Sequence, residues 1–185
     1  FILFSPAVVL FNIYDINIFF VKDIFIKISS LLHACLAIRL KEKDYINSLG
    51  AKKIINRSKL SEKSRPLGKE IWAGAIDSVG SHTLANICAS TKYGGAVAAC
   101  GLAQGFDFPS TVMPFILRGV SLLGVDSVYH SIEGRKEAWM RLEKDLNLEH
   151  LTKMTQVISL YEVDQVAKNM LENKTFGRIV VDVNL

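Results

Sequence analysis

The sequence predicts an α/β protein built on a doubly wound, mostly parallel sheet, partial and truncated at its N-terminal side. Three observations carry this. Short apolar runs alternate with helix-spaced segments from Arg39 to the end of the 185 residues. The run Ala96 to Cys100 is small and apolar on both faces, as an inner parallel strand must be, and Gly94, Gly95, Gly101 and Gly105 bracket it, where glycine lets backbone approach a ligand closely. The first glycine in the chain is Gly50, so no Gly-rich phosphate loop can precede that point.

Residues 1–38 form a separate, apolar leader of uncertain structure, rich in Ile, Phe, Leu, Val and Asn. A membrane-spanning helix needs about 20 consecutive apolar residues, and Asp15, Lys22, Asp23 and Lys27 interrupt every such window. With no basic segment ahead of the apolar run and no small-residue cleavage site, a secretory signal is not expected either. The leader reads as an aberrant or truncated beginning that packs opportunistically.

Residues 39–185 then run in order. Lys41 to Leu49 has Tyr45, Ile46 and Leu49 on one helical face and Gly50 as its stop. Lys53 to Asn56 is a strand, and the polar stretch Ser58 to Gly68, with Pro66, is a connection with room for a single turn of helix. Trp72 to Val79 is a strand, followed by a helix from His82 to Ser90 with Leu84, Ile87 and Cys88 inward. After the strand Gly95 to Cys100 come a short helix, Met113 to Arg118, and a strand, Val120 to Val125. Gly134 to Asp145 is an amphipathic helix centred on Ala138, Trp139 and Leu142, with Glu137 and Arg141 spaced as an ion pair. The segment Gln156 to Leu160, a helix from Tyr161 to Glu172 and a closing strand Arg178 to Val183 complete the pattern.

In such sheets ligands sit outside the carboxyl ends of the strands. Asp77-Ser78-Val79-Gly80, Cys100-Gly101-Leu102 and Asp126-Ser127 are therefore candidate ligand contacts. Taken singly, each also reads as an ordinary turn. A formal charge of +4, spread among acids, argues against nucleic-acid binding. Cys35, Cys88 and Cys100 have no metal spacing and read as reduced, buried thiols of a cytoplasmic protein, and His33, His82, His130 and His150 form no ligand cluster. Cys100, at a strand end, has no activating base nearby in the pattern and is not expected to be a nucleophile.

Asp44-Tyr45-Ile46-Asn47-Ser48-Leu49-Gly50-Ala51, Trp72-Ala73-Gly74-Ala75-Ile76-Asp77-Ser78-Val79-Gly80, Ala98-Ala99-Cys100-Gly101-Leu102-Ala103, Pro114-Phe115-Ile116-Leu117-Arg118-Gly119 and Gly124-Val125-Asp126-Ser127-Val128 closely resemble the acrylyl-CoA reductase family. That family is a quinone-oxidoreductase-like branch of the medium-chain dehydrogenases/reductases. The resemblance covers Arg39 to Asn184 and implies the C-terminal part of a Rossmann-like, alcohol-dehydrogenase-like domain. It implies hydride transfer from NADPH to an enoyl thioester or quinone-like acceptor, without zinc, and a homodimer. It assigns cofactor contacts to Arg39, Arg57, Leu102, Ile116, Ser127 and Asn173, and no catalytic residue. Arg39 matches the arginine that meets the adenosine 2′-phosphate, a role suited to a planar guanidinium, although Ala37 and Ile38 replace its usual turn. Arg57 matches a second contact near the adenine; for Leu102 and Ile116, core packing is an open alternative.

Members of the family also carry a GroES-like domain and a Gly-rich pyrophosphate turn that this sequence does not match, so the chain alone is expected to bind NADPH weakly and to be inactive. Two readings stay open: a fragment of an NADPH-dependent reductase whose other half lies upstream or in another polypeptide, and a non-catalytic remnant used for packing or dimerisation. A doubly wound methyltransferase is disfavoured, because Arg39 stands where a ribose-binding acid is expected.

Overall fold

A computed structural model describes residues 8–11, 34–38, 43–48, 51, 53–63, 65–126, 128–145, 147–172, 174–175 and 177–185. The described residues divide into two compact units, a larger one up to Trp139 and a smaller one from Met140 to Leu185.

The larger unit is a six-stranded sheet. Its strands are β1 (Val8–Phe11), β2 (Ala34–Ile38), β3 (Lys53–Asn56), β4 (Trp72–Asp77), β5 (Thr91–Ala99) and β6 (Ser121–Gly124), in the order β3-β2-β1-β4-β5-β6. The pairs β2–β3, β4–β5 and β5–β6 are parallel, while β1 runs antiparallel to both β2 and β4. Five strands therefore point one way, and residues 1–38 contribute two of the six: β2, aligned with the others, and β1, reversed, at the centre. The 3-2-1-4-5-6 order is that of a doubly wound dinucleotide-binding sheet, and α1 (Lys43–Ser48), α2 (Ser81–Ala89) and α3 (Met113–Arg118) supply helical connections.

The core lies between β4, β5, β6 and α2: Leu60, Trp72, Ala75, Val79, Leu84, Ile87, Cys88, Val97 and Val120 are buried together. Leu84, Ile87 and Cys88 face inward as their spacing predicts, yet burial extends around the helix to Thr83, Ala85, Asn86 and Ala89. Small side chains and a bonded polar group permit this. The Asn86 amide donates to Leu60 O at 2.8 Å and Glu62 O at 2.7 Å, so its burial carries no orphaned donor cost. Trp72 Nε1 and Thr91 Oγ1 both donate to Ile87 O, at 2.9 and 2.8 Å, fixing the helix against the amino ends of β4 and β5.

Two strand boundaries differ from expectation by two residues or more, the others by one at most. β4 stops at Asp77 and not Val79, because the Val79 and Gly80 amides bond to the Asp77 carboxylate and leave the ladder. β5 starts earlier, at Thr91, with a register shift against β4 between Trp72 and Gly74. Gly94 (φ 69°) and Gly95 lie in that irregular amino half, and a side chain on Gly95 would strike the Ala73 carbonyl. They accommodate a bulge at the end of the strand opposite Gly101 and Gly105, so only the latter pair can serve a ligand at the carboxyl ends.

α4 (Ile132–Asp145) matches the amphipathic segment, but Trp139 is 63% exposed and is not a core residue. Arg141 pairs with Asp145 at 3.2 Å. In the smaller unit, α5 (Leu148–Met154), unpredicted from the sequence, starts where Asn147 Oδ1 accepts the His150 amide at 3.1 Å. β7 (Thr155–Ser159) and β8 (Arg178–Asp182) pair in parallel through α6 (Val163–Leu171) as a sheet of their own, not as further strands of the main one. A Ser159–Glu162 capping box opens the turn leading into α6. No helix among the described residues is long and apolar enough to cross a membrane.

Candidate functional site

The carboxyl ends of β3, β4, β5 and β6 form one rim of the larger unit. Arg57 follows β3, Asp77 to Gly80 follow β4, Cys100 to Gly105 follow β5, and Val125 and Asp126 follow β6. Backbone bonds join them: Cys100 N donates to Asp77 O at 2.8 Å, Gln104 N to Val79 O at 2.7 Å, and Val125 N to Ala99 O at 2.9 Å. Asp77, Cys100 and Asp126 thus stand along one edge, as the doubly wound reading requires.

The β4 and β5 turns are locked backbone to backbone. Gly80 bridges Gly105, and a Cβ on Gly80 would come within 2.5 Å of the Gly105 carbonyl. A Cβ on Gly101 would come within 2.5 Å of the Ser78 carbonyl. Gly80 (φ 76°) and the buried Ser81 (φ 47°) both adopt left-handed backbone, which turns the chain abruptly from β4 into α2. For Ser81 this is a strained conformation that the surrounding contacts hold.

The side chains here mainly serve the turns. Asp77 is fully buried, and its Oδ2 accepts the Val79 and Gly80 amides at 3.2 and 2.7 Å. Burial pushes its carboxyl up to about 6, against the pull of those two amides. The carboxylate therefore does not face a ligand, and the structural role, not a contact role, holds for it. Asp126 behaves likewise in the open: its Oδ1 accepts the Val128 and Tyr129 amides at 2.9 and 3.1 Å, which lower its pKa. Cys88 is buried as expected, but Cys100 is exposed. The Cys100 thiol donates to Asp77 O at 3.3 Å, and desolvation with the Asp77 charge raises its pKa, which keeps it a poor nucleophile.

Gln104, unremarked in the sequence, ties the rim together. Its Oε1 accepts from Thr83 N (3.2 Å) and Thr83 Oγ1 (2.6 Å), and its Nε2 donates to Ser61 O at 3.0 Å. The amide thereby caps the first turn of α2, where Gly80 has no side chain to do so. Its position between Gly101 and Gly105 was the only available signal, and the partner residues lie 21 and 43 positions away.

Of the six candidate cofactor contacts, Arg39, Ser127 and Asn173 lie outside the described residues. Arg57 is half-buried at the carboxyl end of β3, opening a 3₁₀ turn capped by Asn56, whose Oδ1 accepts Ser58 N at 3.1 Å. Leu102 is 66% exposed on the rim, and Ile116 is 71% exposed on α3; neither packs in the core. Leu102 belongs to the rim directly. Ile116 lies on α3, away from the strand ends, and Arg118 of that helix is anchored at the opposite edge, on Ala89 O and Thr91 O. Among the described residues no three His, Cys, Asp or Glu side chains converge as a metal site.

The strand order and the glycine-locked rim define an α/β domain built on a doubly wound, Rossmann-like sheet. No family model matches the chain. It is 50% identical over 141 residues to the probable acrylyl-CoA reductase AcuI of Escherichia coli K12, a match covering 76% of this chain and 43% of that protein. It is 44% identical over 147 residues to the acrylyl-CoA reductase AcuI of Ruegeria pomeroyi, covering 79% and 44%. The crystal structure of E. coli K-12 YhdH with bound NADPH superposes with a TM-score of 0.74 at 49% identity, covering 79% of this chain and 45% of that one. Bacillus subtilis YhfP, solved with NAD bound, gives 0.73 at 40% identity, covering 80% and 45%. The chain is thus homologous to part of the acrylyl-CoA reductase-type oxidoreductases, and it spans less than half the length of these relatives.

Proposed function

We propose that the chain supplies the nucleotide-facing rim of an NADPH-dependent reductase, which delivers hydride to an enoyl-CoA of the acrylyl type or to a quinone-like acceptor. The observation that carries this is the 50% identity to an acrylyl-CoA reductase-type protein over the segment that builds the rim. In this reading the nicotinamide supplies the hydride. Arg39 and Arg57 hold the adenosine end, while Leu102, Ile116, Ser127 and Asn173 flank the rest of the cofactor. A cytoplasmic location and a homodimer go with the same reading.

The chain by itself is expected to hold NADPH weakly and to be inactive. In a fully parallel sheet of this order, the turn after the central strand presents helix amides to the pyrophosphate. Here the central strand is reversed: Val8 pairs with Asp77 at the rim, and Phe11 pairs with Gly74 at the far end. The carboxyl end of β1, at Phe11, therefore lies at the edge away from the rim, where no anion cradle of that kind is expected. Titration calorimetry of the full chain with NADPH tests this; a micromolar Kd overturns the expectation of weak binding. If Arg57→Ala leaves a measured affinity unchanged, its assigned role fails.

A second reading, a module that packs or dimerises without catalysis, is favoured by the apolar side chains left exposed: Phe106 (93%), Val112 (64%), Ile116 (71%) and Leu117 (55%). Calorimetry with NADPH separates the two readings, since both allow self-association but only the reductase reading requires the rim to take the cofactor, however weakly.

A further inference from the structure

We propose that Asp77 is a positioning residue that works as a proton-linked latch on the rim: neutral, it keeps the β4 and β5 turns closed; ionised, it biases them toward an open, hydrated state.

The geometry places this carboxyl where such coupling is unavoidable. It has no exposure to solvent, its Oδ2 holds the Val79 and Gly80 amides, and its Oδ1 is buried with no hydrogen-bond partner. A carboxylate in that setting leaves half of its charge density uncompensated, which is costly in a low-dielectric interior. The residues it holds also hold the next turn. Gln104 N bonds Val79 O, Gly80 bridges Gly105, and Cys100 N and Sγ both bond Asp77 O. Loosening Val79 and Gly80 therefore releases the segment that carries Leu102.

The groups around it do not relieve the charge. Cys88, on α2, is pushed up to about 12, and Cys100, after β5, is also raised; both remain neutral thiols across the physiological range. Val8 to Phe11 of β1 and Gly101 to Gly105 contain no titratable side chain. The direction follows from linkage. The closed form keeps its proton to about 6, whereas a hydrated carboxyl gives it up near 3.8. Raising the pH between those values favours whichever state hydrates the group. The opening equilibrium then rises by up to about a hundredfold and levels off above pH 6.

The latch matters for the proposed nucleotide site, because a ligand that closes the rim at neutral pH would take up a proton. The test, however, reads the rim directly and is independent of whether NADPH binds. Hydrogen–deuterium exchange of the full chain is followed at residues 78–83 and 100–105 from pH 4.5 to 7.5, corrected for intrinsic exchange, for the wild type and Asp77→Asn. The asparagine keeps an acceptor for the two amides and removes the charge. The expected result is a rise in opening with pH in the wild type and a flat profile in D77N. A flat wild-type profile, or the same rise in D77N, overturns the proposal. Should D77N fail to fold, ¹³C titration of the wild-type Asp77 carboxyl decides: a midpoint near that of a hydrated carboxyl overturns it, and an elevated midpoint shared with the exchange profile supports it.

Discussion

Substituting alanine for four glycines separates the two costs that lock the rim. Gly94 has φ +69° with nothing within 4 Å of an added Cβ, so G94A carries only the left-handed backbone cost, about 1–2 kcal/mol. Gly101 has an ordinary φ but would place its Cβ 2.5 Å from the Ser78 carbonyl and 3.0 Å from Ser78 Cα, so G101A carries only the steric cost, about 1–3 kcal/mol for overpacking. Gly80 carries both, with φ +76° and the Gly105 carbonyl at 2.5 Å, which sums to about 2–5 kcal/mol. Gly124, with open space and no unusual φ, is the control; there the reduced entropy of the unfolded chain makes alanine neutral or stabilising by less than about 1 kcal/mol. That same gain offsets each of the other costs slightly. Urea denaturation followed by far-ultraviolet circular dichroism and by the emission of Trp72, which is buried, gives the four values. The expected order is G80A most destabilised, then G101A and G94A, then G124A. The reasoning fails if G101A is no more costly than G124A, because the β4 and β5 turns would then not be in backbone contact.

Two further outcomes are expected. Arg118 spans Ala89 O at 3.0 Å and Thr91 O at 3.3 Å, also reaches Gly68 O, and pairs with Glu70 at 3.5 Å. Arg118→Lys keeps the charge but loses the fork, so it should lower the melting temperature, and Arg118→Ala should lower it by about 6–12 °C, corresponding to about 3 kcal/mol; equal melting points for wild type and R118A would contradict the anchoring role. For Asp77, the folded chain holds the proton to about 6 and the unfolded chain releases it near 3.8, so global stability should be greatest below that window and fall by up to about 3 kcal/mol as pH rises through it. Amide bonds lower the pKa values of the exposed Asp126 and Glu162 and push the opposite way. The comparison of wild type with D77N in urea titrations at pH 4 and pH 7 therefore isolates the buried carboxyl, and parallel curves for the two proteins would refute its role.

Much of the architecture was legible in the residues because it rests on local periodicity. Lys53 to Asn56 and Met113 to Arg118 form the elements predicted, to the residue. The inward set Leu84, Ile87 and Cys88 follows from helical spacing, and the rim follows from strands separated by helices, which forces parallel pairing and common carboxyl ends. The candidate site was less legible. Asp77 at a strand end has the pattern of a ligand contact, yet its carboxylate turns back onto its own amides. Gln104 looks like a loop residue, yet it bonds groups on two other segments.

By itself, the sequence determined the fold class, the strand ends that compose the rim and the kinship with acrylyl-CoA reductase-type proteins, since these depend on side-chain order along short segments. Only the tertiary structure decided that β1 enters the centre of the sheet in reverse, that Gly94 and Gly95 serve a bulge, and that β7 and β8 form a separate sheet. Strand direction and long-range pairing are set by which backbone groups find partners across tens of residues, and an extended strand offers the same alternating donors and acceptors in either orientation.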